Sequence, residues 1–273
     1  MRDDVAILLE WFVANGIGEL FNDSPCQDAL EESGRQSGGN LGSVILALAK
    51  QQQSIKDLSG YSVRGIREVV DRAGSLEELV ALANQLEAYG DLRKMASSTV
   101  LLGGKRDSEI MLINDLPNDE DDLNGSIFSG QTGELAGKMF SSIDLDLENL
   151  CLANSFFWRL PGNRAPIREE LDICKPILER IVGFVKPRLI IFCGNYGLST
   201  LLGQNRTITA LRGKFLSYSN CYMQSSVTVT GTYGPSFLLR NGGKKKDAWA
   251  DLLKIRVFLE ETHGSRPSTE AGG

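Results

Sequence analysis

The sequence predicts an α/β protein: a three-layer sandwich with a central, mainly parallel four-stranded sheet flanked by helices, preceded by an N-terminal helical extension. Three observations predict it. Short apolar runs at residues 110–113, 150–153, 189–193 and 227–229 have the length of strands and the composition of strands covered on both faces. Longer segments between them repeat apolar residues at steps of three and four, the spacing of a helix face. Strand and helix alternate along the chain, and that alternation favours parallel pairing through helical crossovers.

Residues 1–21 read as a helix that Asp3 or Asp4 caps, with Val5, Leu8, Leu9 and Phe12 on one face and Asn15-Gly16 ending it. Residues 22–40, rich in Gly, Ser and acid, read as a flexible linker. Residues 41–104 form a helical extension, with helices near 42–52 and 75–89. Ser75 and Glu78 have the spacing of a capping box for the second of these. The main domain is expected over 105–262. Its clearest helix sets Ile167, Leu171, Cys174, Leu178, Ile181 and Val185 in one stripe, and Pro176 predicts a kink there because it lacks a backbone donor. A last helix near 245–261 turns Ala248, Leu252, Ile255 and Leu259 inward, and residues 263–273 read as a disordered tail.

The chain has 273 residues, of which 42% are hydrophobic, enough for one sizeable core and a smaller attachment. No apolar run has the length of a membrane span, and the acidic start is unlike a signal peptide, so a cytoplasmic protein is expected. Five widely spaced cysteines offer no Cys-x-x-Cys pair, so neither a disulfide framework nor a zinc site is expected. The net charge of −6 conceals a division. Residues 151–246 hold 14 Lys and Arg against 4 Asp and Glu, whereas residues 105–150 hold 3 against 11. A basic block of that size can face phosphates even in an acidic protein.

In a parallel sheet, ligands sit beyond the carboxyl ends of the strands. There the first strand opens into Asn114-Asp115-Leu116-Pro117-Asn118, four acids, and then Gly125-Ser126-Ile127-Phe128-Ser129-Gly130. The second ends on Asn154 and continues through Pro161-Gly162-Asn163-Arg164-Ala165-Pro166. The last leads into Thr232-Tyr233-Gly234-Pro235-Ser236-Phe237-Leu238-Leu239-Arg240. In order and spacing these loops resemble the uracil-DNA glycosylase superfamily, most closely a bacterial branch related to the iron–sulfur enzymes. The N-terminal helix and linker look like an alphaproteobacterial form. The resemblance covers about three-fifths of the chain and extends to Leu211-Arg212-Gly213-Lys214 and to residues 244–251.

The resemblance implies an enzyme of base-excision repair that hydrolyses the N-glycosidic bond of uracil in single- or double-stranded DNA. Phe128 matches the residue that stacks on the base, and Asn154 the amide that reads uracil's edge with one donor and one acceptor. Asp115, with Leu116 beside it, falls on the acidic position associated with water activation, shortened from Glu. Arg164, Pro235, Ser236 and Arg240 match positions that contact DNA. Gly234 stands where the family carries a histidine that donates to the leaving base, and the chain's one histidine is His263. Losing a donor aimed at a developing oxyanion costs roughly a hundred- to a thousandfold in rate, so weakened activity is expected. A catalytically inactive DNA-binding member and an α/β protein-interaction module are the alternatives, the acidic N-terminal arm being a candidate contact for a protein partner. The iron–sulfur enzymes hold their cluster with four cysteines, of which only Cys174 has a counterpart; Trp158 occupies another of those positions. No cluster, metal or other cofactor is expected.

Overall fold

The computed structural model describes residues 63–86, 89–203 and 206–263. The first expected helix, the linker, the helix near 42–52 and the tail beyond residue 263 lie outside the described residues. Within them, helices α1 (Val63–Val70), α2 (Leu76–Gln85) and α3 (Gly90–Lys94) precede the sheet. Then follow β1 (Leu102–Gly104), β2 (Ile110–Asn114), α4 (Asp119–Asn124), α5 (Gly130–Ser141), β3 (Cys151–Asn154), α6 (Arg168–Val185), β4 (Leu189–Cys193) and α7 (Asn195–Leu202). The chain continues with α8 (Ile208–Leu211), β5 (Leu216–Tyr218), β6 (Val227–Thr232), α9 (Pro235–Arg240) and α10 (Lys245–His263).

The strands form one six-stranded sheet in the order β1-β3-β2-β4-β6-β5. Its centre, β3-β2-β4-β6, is parallel throughout, and these are the four strands the apolar runs predict. Every residue of β2, β3 and β4 is buried, which is why those runs do not alternate. β1 and β5 pair antiparallel with β3 and β6 and close the two edges. Each is three residues long, too short for a periodic signal, which is why the apolar runs predict four strands where the sheet has six.

Helices α1, α2, α6 and α7 pack together as one layer, and α5, α9 and α10 as the other. α6 is buried further round than its single stripe predicts, since Ile173, Ile177 and Glu179 are also enclosed. The cause is the preceding helices: Arg67 of α1 pairs with Glu179 at 2.5 Å, and Arg180 donates to the Ala73 carbonyl at 2.7 Å. The helix runs on through Pro176 to Val185. Ser75 caps α2, its hydroxyl accepting from the Glu78 amide at 3.1 Å, and Ala248, Leu252, Ile255 and Leu259 face the core from α10.

The strand order reverses between β2 and β4. β2 connects onward to β3 on one side, and β4 to β6 on the other, so a crevice is expected outside the carboxyl ends of β2 and β4.

Candidate active site at the carboxyl ends of the strands

Asp115 is the first residue beyond β2, and its carboxylate crosses the reversal point to the first turn of α7. Oδ1 accepts from the Tyr196 amide at 2.7 Å and the Gly197 amide at 3.3 Å, and Oδ2 from the Asn195 amide at 3.0 Å. An anion at a helix N-terminus satisfies donors that the helix leaves free and meets the positive end of its dipole. Gly194 makes the approach possible. Its φ is +136°, and a Cβ there would lie 2.0 Å from Oδ2. Asp115 is half-buried, its carboxylate set among the three amides. Burial pushes its pKa up to about 6, against the opposing pull of the three amides. With two bonds on Oδ1 and one on Oδ2, Oδ2 keeps a lone pair for a further donor.

Beside it, Asn114 and Asn154 end β2 and β3 in register. The Asn154 Nδ2 donates to the Val100 carbonyl at 2.8 Å, and its Oδ1 accepts from the Asn114 Nδ2, also at 2.8 Å. Asn114 makes a second bond to the Leu116 carbonyl, and Leu116 itself packs partly buried against the core. Asn154 has no exposed surface, so both ends of its amide are spent on protein.

Phe128 follows α4 with a φ of +62°, unusual for an aromatic residue, and is 8% exposed. Asp121 holds this loop. One of its oxygens accepts from the Ser129 amide at 2.6 Å and the other from the Asn118 amide at 3.0 Å, closing a capping box on α4. Asp122 accepts from the Ser97 and Ser98 amides. Two of the four consecutive acids are therefore buried clamps on neighbouring loops. Phe128 lines an open cleft of about 740 Å³ with Leu145, Leu152 and the acids Asp144, Asp146 and Glu148; Asp115, Asn154 and Gly234 lie outside it. Leu152 and Asn154 share one face of β3, since side chains alternate along a strand.

Gly234 opens the last loop in ordinary extended backbone, φ −67° and ψ 150°. Conformation does not require a glycine here, but space does. A Cβ would lie 2.3 Å from the backbone oxygen of Cys193 at the end of β4. Pro235 begins α9, Ser236 is half-buried and Arg240 is exposed at its end. Beneath this loop lies a cluster to which the sequence reading gave no role. Arg212 pairs with buried Asp251 at 2.9 Å and lies over the Tyr233 ring at 5.0 Å, while the Thr232 hydroxyl bonds Asp251 at 3.2 Å. Tyr233 in turn stacks on Phe237, with ring centroids 4.9 Å apart. The available signal was an aspartate adjoining Leu252 on the inward face of the last helix.

Arg164 is turned to protein. Its guanidinium forms a two-pronged pair with Glu170 at 2.6 and 2.8 Å, and Glu170 also accepts from the Ile167 amide. Around Cys174 the residues do not fit a four-iron cluster. Trp158 fills the neighbouring space, in ring contact with Tyr89, Phe156 and Phe157 and donating to Thr99 at 3.0 Å. The buried Cys174 thiol has its pKa pushed well up by burial, the opposite of a metal-ready thiolate. Among the described residues, no group of three His, Cys, Asp or Glu could hold a metal ion, and no helix is long and apolar enough to cross a membrane.

Comparison with known proteins agrees with the loop pattern. A family model for the uracil DNA glycosylase superfamily matches residues 102–253. The chain is 31% identical to a type-4 uracil-DNA glycosylase of Sulfurisphaera tokodaii over 154 residues, 55% of this chain and 69% of that protein. It is 30% identical to the type-4 enzyme of Saccharolobus solfataricus over 183 residues, 65% of this chain and 82% of that protein. With the type-4 enzyme of Thermotoga maritima it shares 27% identity, covering 60% and 85% of the two chains.

Proposed function

Because this chain belongs to the uracil DNA glycosylase superfamily, we propose that it acts in base-excision DNA repair, hydrolysing the N-glycosidic bond of uracil in single- or double-stranded DNA at a weakened rate. In this reading the uracil leaves the stack, the Phe128 ring covers its face, and the Asn154 amide reads N3–H and O4 after exchanging its internal partners. Leu116 borders the base. The lone pair left on the Asp115 Oδ2 holds a water molecule. Its oxygen attacks C1′ as the C1′–N1 bond breaks, the bonding pair leaves on uracil N1, and the water proton passes to Asp115. Charge at C1′ and on the carboxylate attract in a site shielded from bulk water. What the site lacks is a donor for the leaving base, because Gly234 carries no side chain. Pro235, Ser236, Arg240 and Arg164 form the DNA-facing rim in this reading. Arg164 reaches DNA only by giving up Glu170.

The observation that carries the proposal is the Asp115 carboxylate itself. With a pKa of about 6 it is mostly charged at neutral pH, half-buried, and has one acceptor position left at the sheet's reversal point. Within the superfamily we place the chain in a bacterial, cluster-lacking branch that needs no cofactor and works in the cytoplasm, with the N-terminal arm as a contact for a protein partner. A second reading, a DNA-binding member that excises nothing, is favoured by Gly234. The Cys193 carbonyl occupies the space where a side chain would begin.

Single-turnover excision on uracil-containing single- and double-stranded oligonucleotides tests both. The expected rate is roughly a hundred- to a thousandfold below that of a type-4 relative measured alongside. A rate equal to the relative's would refute the weakened site. A rate no higher than that of Asp115→Ala would establish the second reading.

A further inference from the structure

α10 buries Ala248, Asp251, Leu252, Ile255 and Leu259. Its outward face should then be polar, yet it shows Trp249 at 45% exposure, Leu253 at 41% and Val257 at 52%. These three residues follow at steps of four and so form one stripe. At the stripe's beginning stand Lys245 and Lys246, four and three residues before Trp249 and on the same side of the helix. Both are exposed, and among the described residues neither they nor Arg240 form an ion pair. Lys244 precedes them, meeting Asp247 at 3.4 Å with both partners in solvent.

Cations at a helix N-terminus face the positive end of its dipole and cost the helix stability. These lysines therefore do not serve α10. The turn before them, Gly242–Lys244, contains two glycines with nothing within 4 Å of the place a Cβ would occupy, so a bulky ligand can approach the backbone there. The same stretch lies between the end of α9 and the start of α10.

We propose that residues 240–253 form a docking strip for single-stranded DNA flanking the target nucleotide. Phosphates lie against Arg240, Lys245 and Lys246, and an unpaired base stacks on the Trp249 indole with Leu253 extending the apolar floor. An aromatic face accepts any unpaired base, whereas bases in a duplex already have their faces stacked. Concentrated positive charge beside the indole favours a polyanion over an apolar protein partner. This inference rests on the reading that the protein acts on DNA.

The test uses the full-length chain and an oligothymidylate without uracil, with binding followed by fluorescence anisotropy over a range of salt. Trp249→Ala should weaken binding about tenfold or more. Lys245→Gln combined with Lys246→Gln should lower the slope of log affinity against log salt by about 0.7 for each lysine. Affinity for a blunt duplex should respond to the lysine change and not to the tryptophan change. If the wild type binds while both variants bind equally well with the same slope, the strip is wrong and the proposed function stands. If the wild type binds neither single strand nor duplex, the functional reading fails first and takes the strip with it. A Trp249→Ala, Leu253→Ser variant whose mass in solution drops while its DNA affinity holds would identify the stripe as a contact between copies and overturn the inference.

Discussion

At residue 234 the absence of a histidine and the absence of room for one are the same fact seen twice. A Cβ at Gly234 would sit 2.3 Å from a backbone oxygen, far inside contact distance, and that oxygen belongs to the last residue of a central strand. A flexible side chain could swing aside; the Cys193 carbonyl moves only with β4. Gly234→His should therefore lose stability by about 1–3 kcal/mol, the ordinary cost of overpacking, and should not recover excision. Thermal unfolding and single-turnover rates on one preparation check both parts. A stable variant with a large rate gain would show that the carbonyl yields readily.

Among the elements, the short helix α4 has the most consequence for the site, because Asp121 fastens the Phe128 loop to it. Asp121→Ala removes the acceptor from two amides at once, those of Asn118 and Ser129. Each buried donor left unpaired costs about 1–3 kcal/mol. The Ser129 amide should then exchange with deuterium much faster, while amides of β4 slow or hold their rate relative to it; equal acceleration throughout would mean general unfolding instead of a released loop. The acids of α4 stood out in the sequence, but their direction did not. An aspartate that bonds backbone amides leaves no partner side chain to pair with in a sequence. Asp115 is the extreme case, since its three partners are amides some 80 residues onward. Three of the four central strands were legible because burial on both faces leaves unbroken apolar runs, and β6 because Val227 and Val229 bracket a threonine. The three-residue edges β1 and β5 were not, and neither was the sealing of Asn154 by Asn114, because an amide at the end of a strand reads the same whether it faces a ligand or a neighbour.

For the molecule as a whole, the half-buried Asp115 links stability to pH. Its folded pKa, about 6, lies above the 3.8 of an unperturbed carboxyl, so the folded protein binds this proton more tightly than the unfolded chain does. The resulting stabilisation is complete below pH 3.8 and is lost as pH rises through about 6, an effect on the order of 2–3 kcal/mol. Burial raises Asp121 and Asp251 as well, which adds slopes of the same sign. Urea unfolding at several pH values, wild type against Asp115→Asn, isolates the one group. The difference in stability between the two proteins should drift against the wild type from pH 4 to pH 7. A constant difference would place the folded pKa near its ordinary value and remove the case for a carboxyl raised by burial.

The contact between Gly234 and the end of β4 also couples two positions far apart in the chain. With the Cys193 carbonyl 2.3 Å from where a Cβ would sit, a single substitution at residue 234 meets backbone whatever the side chain. β4 or its junction at Gly194 must shift first, and Gly194 is itself held to glycine by the Asp115 carboxylate. Any side chain at 234 therefore calls for changes at two strand ends together. The backbone at the end of one central strand thus decides which residue can open the loop after another.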